Sequence, residues 1–243
     1  MRIVQLDKET KKNILSDLLK RDPNQYGEYE ATVKEIVENV RHNGDEALKE
    51  YTLQFDHTEL DTRKMLVSDD EIAEAESLVD PELKQVMQKS LENIRNYHKK
   101  QLRTSWFDAQ PNGTILGQKV TPLTRVGVYV PGGKAAYPST VLMNIVPASV
   151  AGVPEIVMVT PPGKDGKVNP VTLTAAKMAG ATKIYKVGGA QAIAALAFGT
   201  ATVPKVDKIV GPGNIFVALA KKCVYGYVSI DSIAGPSEIL VIA

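Results

Sequence analysis

The sequence predicts an α/β fold in which a doubly wound parallel sheet follows a mainly helical N-terminal region. Three observations carry this prediction. Near Lys119 the composition changes from dense charge, with apolar residues at helical spacing, to alternating strand-like and helix-like runs. The strand-like runs are short and rich in Val and Ile, and helix-like stretches separate them, as in a parallel sheet with crossover helices. Glycine-bracketed polar turns follow several of these runs, where such a sheet presents its ligand loops.

The N-terminal helices show themselves by periodicity and by caps. Val33, Ile36, Val37 and Val40 form one apolar stripe that ends at Asn43-Gly44, a C-terminal stop signal. Ser68 with Glu71 three positions later has the capping-box pattern, so a helix is expected to start there. Asp80-Pro81 gives a cap and a first-turn proline for the next one. Its face of Leu83, Val86, Met87, Leu91 and Ile94 runs to about Tyr97. Residues 1–118 are read as a mainly helical region, part of a domain completed by sequence beyond this chain, and 119–243 as an α/β domain.

In the second region, strands are expected at 125–130, 155–160, 183–187, 208–210 and 238–243, and helices at 140–151, 170–179, 190–198 and 214–224. Pro147 is expected to kink its helix or move its boundary. The 161–167 stretch, Pro-Pro-Gly-Lys-Asp-Gly-Lys, reads as an exposed turn. The 238–243 run is apolar with no polar tail, which reads as a chain that stops inside a core.

Composition narrows the function. Lys and Arg number 29 against 28 Asp and Glu, a net charge of +1, so no basic surface for nucleic acid is indicated. The one cysteine, Cys223, rules out an intramolecular disulfide framework or a cysteine zinc cluster and reads as a packed structural thiol. No apolar run has the length of a membrane span, and the start lacks a signal-peptide core. A cytoplasmic protein acting on a small molecule is expected, with neither membrane nor nucleic acid as partner.

Three turns are the candidate site. Tyr129 to Gly133, Gly188 to Gln191 and Gly211 to Asn214 each follow a strand-like run. Taken singly, each reads better as a tight connection, with Gln191 or Asn214 capping a helix. Three on one sheet favour a shared crevice for a polar ligand, where Tyr129 can stack on a flat ring and Gln191 and Asn214 can donate and accept. No G-x-G-x-x-G or G-x-x-x-x-G-K-[ST] spacing is present. His42, His57 and His98 have no metal-site spacing and are given no catalytic role. Lys134 reads as an exposed loop lysine as readily as an anion contact.

The same residues carry a family resemblance. The segments Val126-Gly-Val-Tyr-Val-Pro-Gly-Gly133, Ser139-Thr-Val-Leu-Met143, Val187 to Thr200, Val203 to Asn214 and Ala234-Gly-Pro-Ser-Glu238 closely resemble histidinol dehydrogenase. The resemblance implies a homodimeric enzyme with a Rossmann-like core, bound zinc, and oxidation of L-histidinol to the aldehyde and then to L-histidine with two NAD+. Carried over by position, it implies that Tyr129, Gln191 and Asn214 contact NAD and that Ser237 contacts the substrate. The family's zinc ligands and its proton-moving Glu-His pair lie beyond the Gly-Pro-Ser-Glu segment. No catalytic or metal residue is therefore assigned in this chain, and the chain alone is expected to be inactive. The alternative is a non-catalytic nucleotide-binding or assembly fragment on the same fold.

Overall fold

The structure, a computed structural model, describes residues 7–19, 27–59, 61–132 and 136–233. Five helices come first: α1 (Lys8–Leu19), α2 (Gly27–Asn43), α3 (Asp45–Tyr51), α4 (Asp69–Leu78) and α5 (Pro81–Lys99). The predicted signals act as expected. Ser68 and Glu71 form a reciprocal capping box at the start of α4, and the Asp80 side chain accepts the Glu82 N–H at the start of α5. Each such cap stabilises its helix by about 1 kcal/mol.

A hairpin follows, β1 (Trp106–Ala109) and β2 (Ile115–Gln118), within the stretch read as mainly helical. Its turn spans Gln110 to Gly113, closed by the Gly113 N–H on the Gln110 carbonyl, with Gly113 at φ 85°. Every residue of both strands is exposed, so the hairpin has no buried face and leaves no alternating pattern in the sequence.

The remaining elements alternate: β3 (Arg125–Tyr129), α6 (Pro138–Val150), β4 (Glu155–Thr160), α7 (Pro170–Ala179), β5 (Lys183–Lys186), α8 (Gly189–Phe198), β6 (Lys208–Val210), α9 (Ile215–Val224) and β7 (Ser229–Ile230). The five strands pair in parallel in the order β5-β4-β3-β6-β7. The chain thus starts at the centre, winds out through β4 to β5, then returns to the other side of β3. Right-handed crossovers place α6 and α7 on one face, and α8 and α9 on the other.

The core follows the period of two. Val126, Val128, Val130, Ile156 and Met158 pack with α6, α7 and, beyond them, Met87 and Leu91 of α5. Tyr129, Val157, Val159 and Ile209 face the second layer, with α8, α9 and the Val33, Ile36, Val37 and Val40 stripe of α2. Gly127 lets α8 approach: an added Cβ there would lie 2.9 Å from a Leu196 methyl. Burying a side chain such as Leu196 contributes about 2 kcal/mol.

Parallel register sets Arg125 beside Glu155, and their ion pair, joined by Lys183, closes the amino-terminal edge of the sheet. The outer edge of β5 is covered by the segment before α4, through Val67 N–H to Ile184 O and Lys186 N–H to Met65 O, both at 2.9 Å. Such cover removes an open strand edge.

Several expectations are corrected. Helix α6 continues through Pro147, with bounds of Pro138–Val150 where 140–151 was expected. Pro162, placed in an exposed turn, is buried, although Gly163, Lys164 and Asp165 are exposed. Cys223 is exposed rather than packed. Val217, Ala220, Lys221 and Val224 of α9 are buried at spacing i, i+3, i+4 and i+7, with Leu219 beside them, and Cys223 falls outside this set. Partial burial pushes its thiol up, opposite to the lowering that two adjacent lysines would give. The 238–243 strand and Lys134 lie outside the described residues.

Candidate functional site

Sheet order reverses between β3 and β6, and the carboxyl ends of the strands open there into a cleft of about 1140 Å³. Its walls include Tyr129 at the end of β3, Thr160 at the end of β4, Gln191 after β5 and Asn214 after β6. The three residues chosen from sequence therefore meet in one cavity. Ser237 lies outside the described residues.

Close backbone approach builds the rim. An added Cβ at Gly132 or at Gly188 would collide with the Pro161 ring, so the loops after β3 and β5 both pack on the residue that follows β4. At Gly189, φ is 65°, and a Cβ would meet the Gln191 carboxamide.

Each side chain has a distinct state. Tyr129 is 3% exposed, and its hydroxyl accepts the Gly189 N–H at 3.1 Å. Burial pushes that hydroxyl up to about 12, the Gly189 N–H opposes the shift, and the charge of Asp56 adds to it. The phenol is thus neutral, and its burial leaves little ring face for the stacking that its residue type alone permits. Gln191 is 1% exposed at the first turn of α8, yet neither its Oε1 nor its Nε2 has a hydrogen-bond partner. It does not cap the helix. Asn214 does cap: its Oδ1 accepts the Val217 N–H at 3.1 Å and so anchors α9. Asn214 also lines the cleft.

Asp56 is a wall residue that the sequence does not single out. After α3 the chain continues as a π-helical turn, Thr52–Asp56, with His57 at φ 55° closing it. That turn carries Phe55, Asp56 and His57 to the cleft. Burial pushes the Asp56 carboxyl up to about 6, against the pull of His57, and its Oδ2 is buried without a partner. The unusual turn is the structural signal, and a Phe-Asp-His string has no sequence signature for it.

Among the described residues, no group of three or more His, Cys, Asp or Glu side chains could hold a metal ion. No helix among them is long and apolar enough to cross a membrane.

Fold and cleft together define a Rossmann-like α/β protein with an open cleft at its topological switch point. The family model for histidinol dehydrogenase matches residues 19–243. The histidinol dehydrogenase of Bacillus subtilis (strain 168) is 58% identical over 216 residues, which are 89% of this chain and 50% of that protein. That of Clostridium acetobutylicum is 55% identical over 243 residues, all of this chain and 56% of that protein. A crystal structure of histidinol dehydrogenase from Elizabethkingia anophelis superposes with a TM-score of 0.80 at 40% identity, over 85% of this chain and 48% of that one. This chain belongs to the histidinol dehydrogenase family, and it spans about half the length of the relatives it matches.

Proposed function

We propose that this chain forms the dinucleotide-binding part of a histidinol dehydrogenase, which oxidises L-histidinol through the aldehyde to L-histidine with two NAD+ in succession. The observation that carries this is Gln191, a carboxamide buried in the cleft wall with both polar atoms unpaired. A buried polar group left so costs about 1–3 kcal/mol, and a ligand with matching donor and acceptor recovers it. The glycines around it and the rim position of Asn214 support the same ligand.

NAD+, when bound, supplies the hydride acceptor. The chain's own residues bind and orient it. Gln191 offers one donor face and one acceptor. Asn214, its Oδ1 engaged with Val217, offers its Nδ2 donors. Tyr129 holds the Gly189 amide and so sets the turn that carries Gln191. Pro131 and Phe216 supply apolar wall that excludes water.

Zinc does not fit the described residues. The resemblance implies that its ligands, like the proton-moving Glu-His pair, lie beyond the Gly-Pro-Ser-Glu segment. The Ser237 contact with L-histidinol, the homodimer, the cytoplasmic setting and the completion of the 1–118 region by further sequence belong to the same proposal.

The test is histidinol-dependent NADH formation by a polypeptide that joins this chain to the further half its relatives have. Turnover is expected from the joined polypeptide and none from the 243-residue chain alone. A folded, zinc-loaded joined polypeptide that forms no NADH overturns the proposal.

A further inference from the structure

Behind the turn after β6 stands an ion pair that is not part of the cleft wall. Lys221, on the buried stripe of α9 with its side chain 6% exposed, donates from Nζ to the Gly211 carbonyl at 3.0 Å and pairs with Asp231. Asp231, just past β7, accepts the Gly211 N–H on Oδ2 at 2.9 Å and the Ser232 N–H on Oδ1 at 2.7 Å. The two charges therefore hold both polar groups of one residue.

Gly211 is a sensitive place to hold. Its φ is 114°, and an added Cβ would collide with the Tyr129 carbonyl oxygen. The clamp thus seats the turn against the end of β3 and fixes where Asn214, three residues on, starts α9. Stability alone does not call for a buried lysine here, because a well-packed apolar pair of similar volume often does as well or better. Charge-assisted hydrogen bonds add direction, and the direction here is toward one peptide unit at the switch point.

We propose that Lys221 and Asp231 are positioning residues for the dinucleotide. They set the Gly211 to Asn214 turn, and through it the spacing of Asn214 from Tyr129, without touching the ligand. This rests on the cleft being a dinucleotide site.

The experiment compares Lys221→Met and Asp231→Asn with Lys221→Arg, which keeps the charge, and with Lys222→Met on the exposed neighbour that pairs with Glu30. NAD+ is titrated calorimetrically into each full chain, and amide hydrogen exchange at Gly211 is followed without ligand. Lys221→Met and Asp231→Asn are expected to raise the Kd for NAD+ about tenfold or more, in line with losing a charge-assisted bond, and to speed Gly211 exchange. Lys221→Arg is expected to stay near wild type, and Lys222→Met to match it. Where Lys221→Met does not fold, Asp231→Asn and Lys221→Arg decide the question. Wild-type Kd in a folded Asp231→Asn or Lys221→Met chain overturns the positioning role while leaving the dinucleotide site standing. A wild-type chain that does not bind NAD+ overturns both.

Discussion

The Gly189 amide donates to the Tyr129 hydroxyl at 3.1 Å, tying the end of β3 to the start of α8 over the end of β4. Pro161 fills the space beneath, against Gly132 on one side and Gly188 on the other. Three loops that the sequence separates widely thus form one rim, and the bond between Tyr129 and Gly189 is its polar latch.

Tyr129→Phe keeps the ring and removes the latch. The Gly189 N–H is left without its partner, so unfolding free energy should fall by about 1–2 kcal/mol, measured by urea titration. The sign of the pH dependence follows from the raised hydroxyl. Its folded value of about 12 lies above 10.0, so its contribution is complete below pH 10.0 and is lost as pH rises through 12. The gap between wild type and variant should therefore be constant through neutral pH and begin to shrink only above 10.0. A gap that grows with rising pH contradicts this.

Gly211 and Gly226 both have positive φ, 114° and 101°, but only Gly211 has no room for a Cβ. Gly226→Ala should cost about 1 kcal/mol, the strain of a left-handed alanine. Gly211→Ala adds a collision with the Tyr129 backbone and should cost about 3 kcal/mol or more, with loss of NAD+ binding. Thermal unfolding of the two variants side by side checks this, and equal losses would show that the turn after β6 is not tightly seated.

Asp56 holds its charge in the cleft wall at a cost. Its folded value of about 6 exceeds the ordinary 3.8, so wild type loses stability as pH rises from 3.8 to 6 relative to a chain without that carboxylate. Against the Asp56→Asn variant, the difference should be least at acid pH and level off above 6. After allowance for solvent screening of this half-buried group, it should amount to about 1 kcal/mol. A pH-independent difference would show the carboxyl to be unperturbed.

Much of this fold is legible in the sequence because its parallel strands are covered on both faces. Between Glu155 and Thr160 the 155–160 run is wholly apolar for that reason, and it forms β4 with those bounds. Local chemistry marks the helices as plainly: the Ser68 and Glu71 box and the Asp80-Pro81 pair act within a few residues of chain. The hairpin at 106–118 is hidden because neither of its faces is buried, so burial writes no alternation into it. At the site, Tyr129, Gln191 and Asn214 are legible through their glycine-bracketed turns. Asp56 is not, because a π-helical turn after α3 brings it there. Lys221 carries no signal of its own in the sequence, and only the fold turns it inward to Gly211 and Asp231. Such partners lie far away in sequence or across a helix, where spacing carries no information.

The most direct measurement is calorimetric titration of NAD+ into the wild-type chain and into Gln191→Leu, with thermal unfolding of both. Leucine removes two unpaired buried polar atoms at similar volume, so the free protein should be as stable as wild type or more so by about 1 kcal/mol. Its affinity for NAD+ should nonetheless fall about tenfold or more, since the amide that the ligand would satisfy is gone. Equal NAD+ affinity in the two chains would contradict the central claim, because the buried carboxamide would then have no part in holding the dinucleotide.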